Sequence, residues 1–378
     1  MQFRDLRKQY EALKTEIDAA IEKVLLQCNF ISGEQVTELE EALAAYVGCR
    51  HCVTCGNGTD ALTMAFMAWG IGRGDAVFVP DFTFFASGEA AAVLGAEPVF
   101  VDVDPHTFNL SPESLRKAIE GVRKEGRLVP KAIVAVDLFG LPADYTAIKK
   151  IALDYHLHLL EDAAQGFGGE LSGKMACSFG EISITSFFPA KPLGCYGDGG
   201  AIFTDCGDTA AYLRSIRVHG KGDSKYDNIR LGLNSRLDTL QAAILLPKLR
   251  AFIDYEKKAV NEIAGQYNSL LKDIVQIPDI PEGYVSSWAQ YSVLLPCESA
   301  RDGLQTYLKK KNIPSMIYYP KPMHMQKAFC GIDRKVNDFP VTDSLCKTIL
   351  SLPMHPYLSK EEVTLISHTV EEYINQFL

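Results

Sequence analysis

The chain has little that would take it to a membrane or to nucleic acid. No apolar run among its 378 residues approaches the length needed to span a bilayer. Met1 to Tyr10 is polar and charged, unlike an export segment, so a cytoplasmic protein is expected. Positive charge is in deficit. With 38 Lys and Arg against 47 Asp and Glu, the net charge of −9 argues against a nucleic-acid surface, yet it allows a locally basic pocket for a small anion. The Walker A sequence and the dinucleotide fingerprint are absent, as are internal repeats and low-complexity tracts. Cysteine is not scarce, but ten cysteines in a long chain without an export segment read as thiols rather than as a disulfide framework. The run Cys49-x2-Cys52-x2-Cys55 lacks a nearby fourth ligand and overlaps an apolar strand, so no metal is expected there.

What is present is a globular composition, 47% hydrophobic and 22% charged, in a chain too long for one ordinary core. Helical spacing of Leu13, Ile17, Ile21 and Val24, then a second segment from Val36 to Val47, predicts an N-terminal helical arm over 1–48, packing on the main body or on a partner subunit. From about 50 to 205, short apolar runs alternate with turns and helical stretches. Strands are predicted at 51–54, 76–79, 97–101, 132–136, 158–160, 182–186 and 201–204. Such alternation predicts an α/β protein with a three-layer, mainly parallel sheet, whose ligands sit at the carboxyl ends of the strands. A long helical region from 236 to about 272, interrupted near Pro247, closes a large domain over 49–275. A Pro- and Gly-rich stretch then leads into a smaller α/β lobe over 276–378.

Lys191 stands out within Ser186-Phe187-Phe188-Pro189-Ala190-Lys191-Pro192-Leu193-Gly194. Apolar, rigid neighbours desolvate an ammonium and lower its pKa, as a Schiff-base lysine requires. A solvated turn lysine is the competing reading, and partners elsewhere must decide. One partner is Asp162, at the end of the predicted strand 158–160 and close to Gln165. An acid there either caps a helix or holds a ring nitrogen protonated. The turn Gly56-Asn57-Gly58-Thr59-Asp60 opens a helix and could cradle a phosphate, with the Ser186 hydroxyl completing the site. After the strand 76–79, one ring of the Phe82–Phe85 run, such as Phe84, either stacks on a planar ligand or belongs to the core. Arg230, Arg236, His219 and Lys221 lie together in one loop, which is either solvated or a diphosphate site.

Four ordered motifs, Gly58-Thr59-Asp60-Ala61-Leu62, Glu161-Asp162-Ala163-Ala164-Gln165, Ser186-Phe187-Phe188-Pro189-Ala190-Lys191 and Asn234-Ser235-Arg236-Leu237-Asp238, resemble those of the DegT-type sugar aminotransferases. The resemblance runs from Phe30 to Pro356 and implies the aspartate aminotransferase fold with pyridoxal 5'-phosphate (PLP) as cofactor. It implies that Lys191 holds the cofactor covalently and shuttles a proton, that Asp162 pairs with the ring nitrogen, that Gln165 contacts the ring hydroxyl and that Phe84 stacks on the ring. Gly58, Thr59, Asp60 and Ser186 would bind the phosphate, joined by Asn234 of a neighbouring subunit in a homodimer. Arg230, Tyr318 and Tyr319 would touch substrate.

Within the family, the segments around Lys191 and Leu240-Gln241-Ala242-Ala243 look most like enzymes that aminate the 3-keto position of UDP-N-acetyl-hexuronic acids. Those enzymes use glutamate and serve surface polysaccharide synthesis. Where they carry His-Tyr before a proline, this chain has Tyr318-Tyr319-Pro320, which keeps open a UDP- or dTDP-linked 3- or 4-keto-6-deoxy sugar. Family members that dehydrate sugars replace the lysine with histidine, so the lysine speaks for amino transfer. A non-catalytic sensor on the same fold would call for an additional DNA-binding segment.

Overall fold

Apolar residues on both sides of a strand require cover on both sides, and that demand organises the large sheet. The computed structural model describes residues 1–224, 226–331 and 338–377. Two helices come first, α1 (Leu6–Gln27) and α2 (Glu34–Val47), followed by β1 (His51–Cys55), α3 (Gly58–Ala68), β2 (Asp75–Pro80), α4 (Ala86–Val93) and β3 (Glu97–Val101). The alternation continues through α5 (Pro112–Glu125), β4 (Val129–Val136), α6 (Tyr145–Tyr155), β5 (His158–Asp162), a hairpin of β6 (Glu170–Leu171) and β7 (Lys174–Met175), β8 (Ile182–Ser186), β9 (Gly200–Thr204) and α7 (Gly207–Ile216). Then come α8 (Thr239–Ala251), α9 (Lys257–Leu271), β10 (Tyr284–Val285), β11 (Tyr291–Leu294), α10 (Glu298–Lys310), α11 (Pro340–Thr348), β12 (Ile349–Leu352) and α12 (Lys360–Phe377).

The large sheet has the order β1-β9-β8-β5-β4-β2-β3, parallel except at β9, which runs against both of its neighbours. Along β2, Ala76 and Phe78 join one core with α2, α5, α6 and α8, while Val77 and Val79 join another with α3, α4 and α7. Each large aliphatic side chain so buried contributes roughly 1.5–3 kcal/mol. The same alternation separates two cysteines of the early run. Cys52 lies in the first core and Cys55 in the second, on opposite faces of the sheet, so the pair cannot share an ion. Burial pushes the Cys55 thiol up to about 12 and the Cys49 thiol up to about 11.

A third core joins α9, α10 and α12 to the antiparallel pair β11–β12, drawing residues from both sides of position 275. The arm packs on its own chain, with Leu13 and Ile17 of α1 against Ile244 and Ala251 of α8. The predicted break at Pro247 does not occur. α8 continues through that proline, and the backbone widens only at a π-turn over Phe252–Glu256, which joins α9 directly. Burial of Pro247 together with Ile244, Leu245 and Leu249 offsets the hydrogen bond that the proline cannot donate. The two-residue strands β6 and β7 are too short to show a period in sequence.

Lys248 in α8 is 1% exposed, and its amine has no hydrogen-bond partner among the described residues. It lies 4.7 Å from the centre of the Tyr196 ring, and burial pulls its pKa down to about 8. The folded chain therefore loses this proton before the unfolded chain does. Lys248 lowers stability most below about pH 8, and that penalty fades as pH rises toward the ordinary lysine value. Lys248→Met is expected to stabilise the protein at neutral pH by on the order of 1–3 kcal/mol. Thermal unfolding across pH 7 to 10 checks this, and an unchanged or lower midpoint at pH 7 would refute it.

Candidate active site

Strand direction gathers the candidate residues on one edge. β5 and β8 are parallel, and β9 reverses before β1 reverses again, so β1, β5 and β8 all end on the same side. Asp162 is the last residue of β5, Ser186 the last of β8, and the turn Gly56-Asn57-Gly58 follows β1. Ser186 and Cys55 both pair with Gly200, which brings the β1 turn beside the end of β8.

That turn is a close-packed cradle. A Cβ on Gly58 would lie 2.9 Å from the Ser186 Cβ, and one on Gly200 would lie 2.6 Å from the Asn57 carbonyl carbon. Only glycine allows these approaches. Asn57 caps α3 by accepting the Asp60 N–H at 2.7 Å, and the Gly56 N–H donates to the Ser235 hydroxyl at 2.9 Å. Among the described residues, no partner takes the N–H of Gly58 or Thr59. A helix start with free N–H groups, beside a serine hydroxyl, has the chemistry of a phosphate site.

The two adjacent acids of β5 separate by strand alternation. Glu161 turns into the interior and accepts from the Cys177 and Phe179 N–H groups at 2.6 Å and from the Ser183 hydroxyl at 2.6 Å. Asp162 faces the site. Its Oδ2 accepts from the Ser87 hydroxyl at 2.8 Å, and its Oδ1 accepts the Ala164 N–H at 3.2 Å. Burial pushes the Asp162 carboxyl up, and these two hydrogen bonds and the charge of Lys191 oppose that rise. For Lys191, burial pulls the amine down; the Asp162 charge works against this, and the Arg4 charge adds to it. The lysine and the acid therefore sit close enough to shift each other's titration. Among the described residues, the Lys191 amine has no hydrogen-bond partner, while its backbone N–H donates to the Phe188 carbonyl at 2.8 Å.

Other candidates join this cluster through aromatic contacts. Gln165 Nε2 donates to the Tyr319 hydroxyl at 3.0 Å, and Gln165 Oε1 accepts the Phe139 N–H at 2.8 Å. The Tyr319 ring lies 6.5 Å from the ring of Phe84, which is exposed, and 5.7 Å from that of Tyr318. Among the described residues, neither Arg230 nor Asn234 forms a hydrogen bond or ion pair with Lys191 or Asp162. Arg230 lies over the Tyr212 ring at 4.9 Å, and Asn234 is exposed beside Ser235. Two residues not anticipated from sequence, Ser87 and Ser235, hold Asp162 and the glycine turn. Serines in a first helical turn or a loop carry no signal that singles them out.

A buried acid at the end of β5, a half-buried lysine in the turn after β8 and a glycine cradle for phosphate after β1 define a PLP-dependent enzyme of fold type I. The chain belongs to the DegT/DnrJ/EryC1/StrS aminotransferase family, whose model matches residues 11–371. It is 44% identical over 367 residues to the UDP-2-acetamido-2-deoxy-3-oxo-D-glucuronate aminotransferase of Pseudomonas aeruginosa, covering 97% of this chain and 98% of that protein. It is 39% identical over 377 residues to the UDP-N-acetyl-3-dehydro-alpha-D-glucosamine 3-aminotransferase of Acidithiobacillus ferrooxidans, covering 98% and 97%. A DegT DnrJ EryC1 StrS aminotransferase from Brucella abortus has a crystal structure that superimposes with a TM-score of 0.97 at 50% identity, each chain covered completely.

Proposed function

We propose that this chain transfers an amino group from glutamate to the 3-keto position of a UDP-linked N-acetyl-hexuronic acid, as a cytoplasmic enzyme of surface polysaccharide synthesis. The reading rests on one observation above all. Asp162 closes β5 beside the parallel strand β8, whose following turn carries Lys191, in a chain whose relatives include named aminotransferases for UDP-linked 3-oxo sugars.

When bound, PLP supplies an aldehyde for amine exchange and a ring that accepts the electron pair left by a departing proton. Lys191 Nζ would hold the cofactor and move a proton between it and the substrate, and burial, which pulls the amine's pKa down, favours the neutral form that this needs. Asp162 would hold the ring nitrogen in its protonated form, and a cationic partner would favour the ionised carboxylate that burial disfavours. Gly58, Thr59, Asp60 and Ser186 would hold the phosphate, Gln165 would orient the ring hydroxyl, and Phe84 would stack on the ring. Tyr318 and Tyr319 border the sugar.

Asn234 reaches the site from a second copy in a homodimer, and Arg230, in the same loop, touches substrate. Their loop carries the exposed apolar residues Ile229 (56%) and Leu231 (89%), and such exposure asks for cover by another chain. We divide the chain into an arm (1–48), a large PLP-binding domain (49–275) and a small C-terminal domain (276–378). Tyr318, where the uronate enzymes have histidine, favours a second reading in which the acceptor is a UDP- or dTDP-linked 3- or 4-keto-6-deoxy sugar.

The test is incubation with glutamate and a panel of UDP- and dTDP-linked keto-sugars, with mass spectrometry of the products. Amination of the UDP-3-keto-uronate alone is the expected result. Preference for a keto-6-deoxy sugar would transfer the assignment to the second reading, and no product from any member would overturn both.

A further inference from the structure

The lysine turn is held from a direction that the reaction itself does not require. Arg4, two residues ahead of α1, donates through Nη2 to the Lys191 carbonyl at 2.7 Å and to the Pro192 carbonyl at 3.2 Å, across 187 and 188 residues of sequence. Its neighbour Phe3 sets its ring edge-on to Tyr318, with centroids 6.2 Å apart, and its carbonyl accepts the Met354 N–H at 3.2 Å. Tyr318 adjoins Tyr319, whose hydroxyl accepts from Gln165. Two consecutive residues of the arm thus touch the turn that bears the lysine and the tyrosine pair across the site.

We propose that Phe3-Arg4 is a strap that fixes the lysine turn relative to the tyrosine pair, with Arg4 acting as a positioning residue for Lys191. The inference rests on the active-site reading above. Two adjacent carbonyls on one side of a turn are poorly satisfied by ordinary backbone pairing, and the two hydrogens of one guanidinium nitrogen, Nη2, can serve both. Burial brings the Arg4 pKa down only to about 10, against the opposing charge of Glu256, so the guanidinium stays charged at neutral pH. The rest of the arm is anchored independently, through Gln9 to Glu256 at 2.9 Å and through the apolar contact of α1 with α8. Loss of Arg4 therefore leaves the arm docked while the turn loses its hold.

The test compares full-length wild type, Arg4→Gln and Arg4→Lys. Hydrogen–deuterium exchange of residues 188–196 in cofactor-free protein should be about ten-fold faster in Arg4→Gln, with α8 unchanged, and intermediate in Arg4→Lys. A second reading is the pH dependence of cofactor capture at Lys191, trapped with borohydride and weighed by mass spectrometry. The charges acting on Lys191 are Asp162 from β5 and Arg4; the groups that face Arg4 are Glu256 ahead of α9, Lys248 in α8 and His355 after β12. Without the Arg4 cation, Lys191 holds its proton more tightly, so the midpoint should move to higher pH in Arg4→Gln and return in Arg4→Lys. Wild-type exchange and an unmoved midpoint in Arg4→Gln would overturn the strap. Should Arg4→Gln not fold, Arg4→Lys decides alone: roughly three-fold faster exchange of the turn supports the strap, and wild-type exchange overturns it. If the wild type itself captured no PLP at Lys191, the proposed function would fail, while the exchange comparison would still judge the strap.

Discussion

Lys191→Ala is expected to lower amino transfer by about 10^4-fold or more, because in the proposed mechanism a single amine would both carry the cofactor and move the proton. Lys191→Arg should lose as much. Arginine keeps a positive charge opposite Asp162 but cannot deprotonate to attack a carbonyl, so this variant separates chemistry from charge. The direct measurement is borohydride reduction of the PLP-loaded protein followed by peptide mapping. In the wild type, the reduced cofactor should be found on the peptide that contains Lys191. Lys248 is the natural competitor, since it too is an amine with a lowered pKa, here about 8. Label on Lys248, or retained turnover in both Lys191 variants, would remove the basis of the mechanism.

Much of this site can be read from the chain because its parts lie at the ends of apolar runs. Asp162 and Ser186 each close a short strand, and the Gly56–Gly58 turn follows another, so strand period and turn chemistry place them together once the sheet is taken as mainly parallel. The supports are a different matter. Ser87 meets Asp162 across 75 residues, Tyr319 meets Gln165 across 154, and Arg4 meets Lys191 across 187. No local pattern encodes such pairings, which depend on how helices and lobes dock. The uninterrupted course of α8 through Pro247 has the same origin. Local propensity calls for a break, but Pro247, Ile244 and Leu245 are all buried, and packing along the helix outweighs that preference. The strand period alone shows two adjacent acids without saying which one faces a ligand, and it is the family resemblance that picks Asp162. In the fold, strand alternation separates the two, and the N–H groups of Cys177 and Phe179 occupy Glu161.

Asp162→Asn should reduce turnover by about 10^2 to 10^3-fold, the range seen when one preorganised electrostatic partner is removed. The amide can keep the geometry, with Oδ1 still accepting from Ala164 and the new N–H donating to Ser87, so the loss would report charge rather than shape. Stability should move the other way. Burial holds the folded pKa of Asp162 above the ordinary carboxylate value. As pH rises through that interval, the unfolded chain releases its proton first, the folded chain binds more protons, and Asp162 costs stability that an amide does not. The cofactor-free Asn variant should therefore unfold at a higher temperature than wild type at neutral pH, and the gap should close toward the acid end, where both side chains are neutral. A bound pyridinium reverses the comparison by giving the carboxylate a partner, so loading with PLP should stabilise wild type more than the variant. A pH-independent gap in the cofactor-free proteins, or equal stabilisation of both by PLP, would mean that Asp162 does not hold the ring nitrogen.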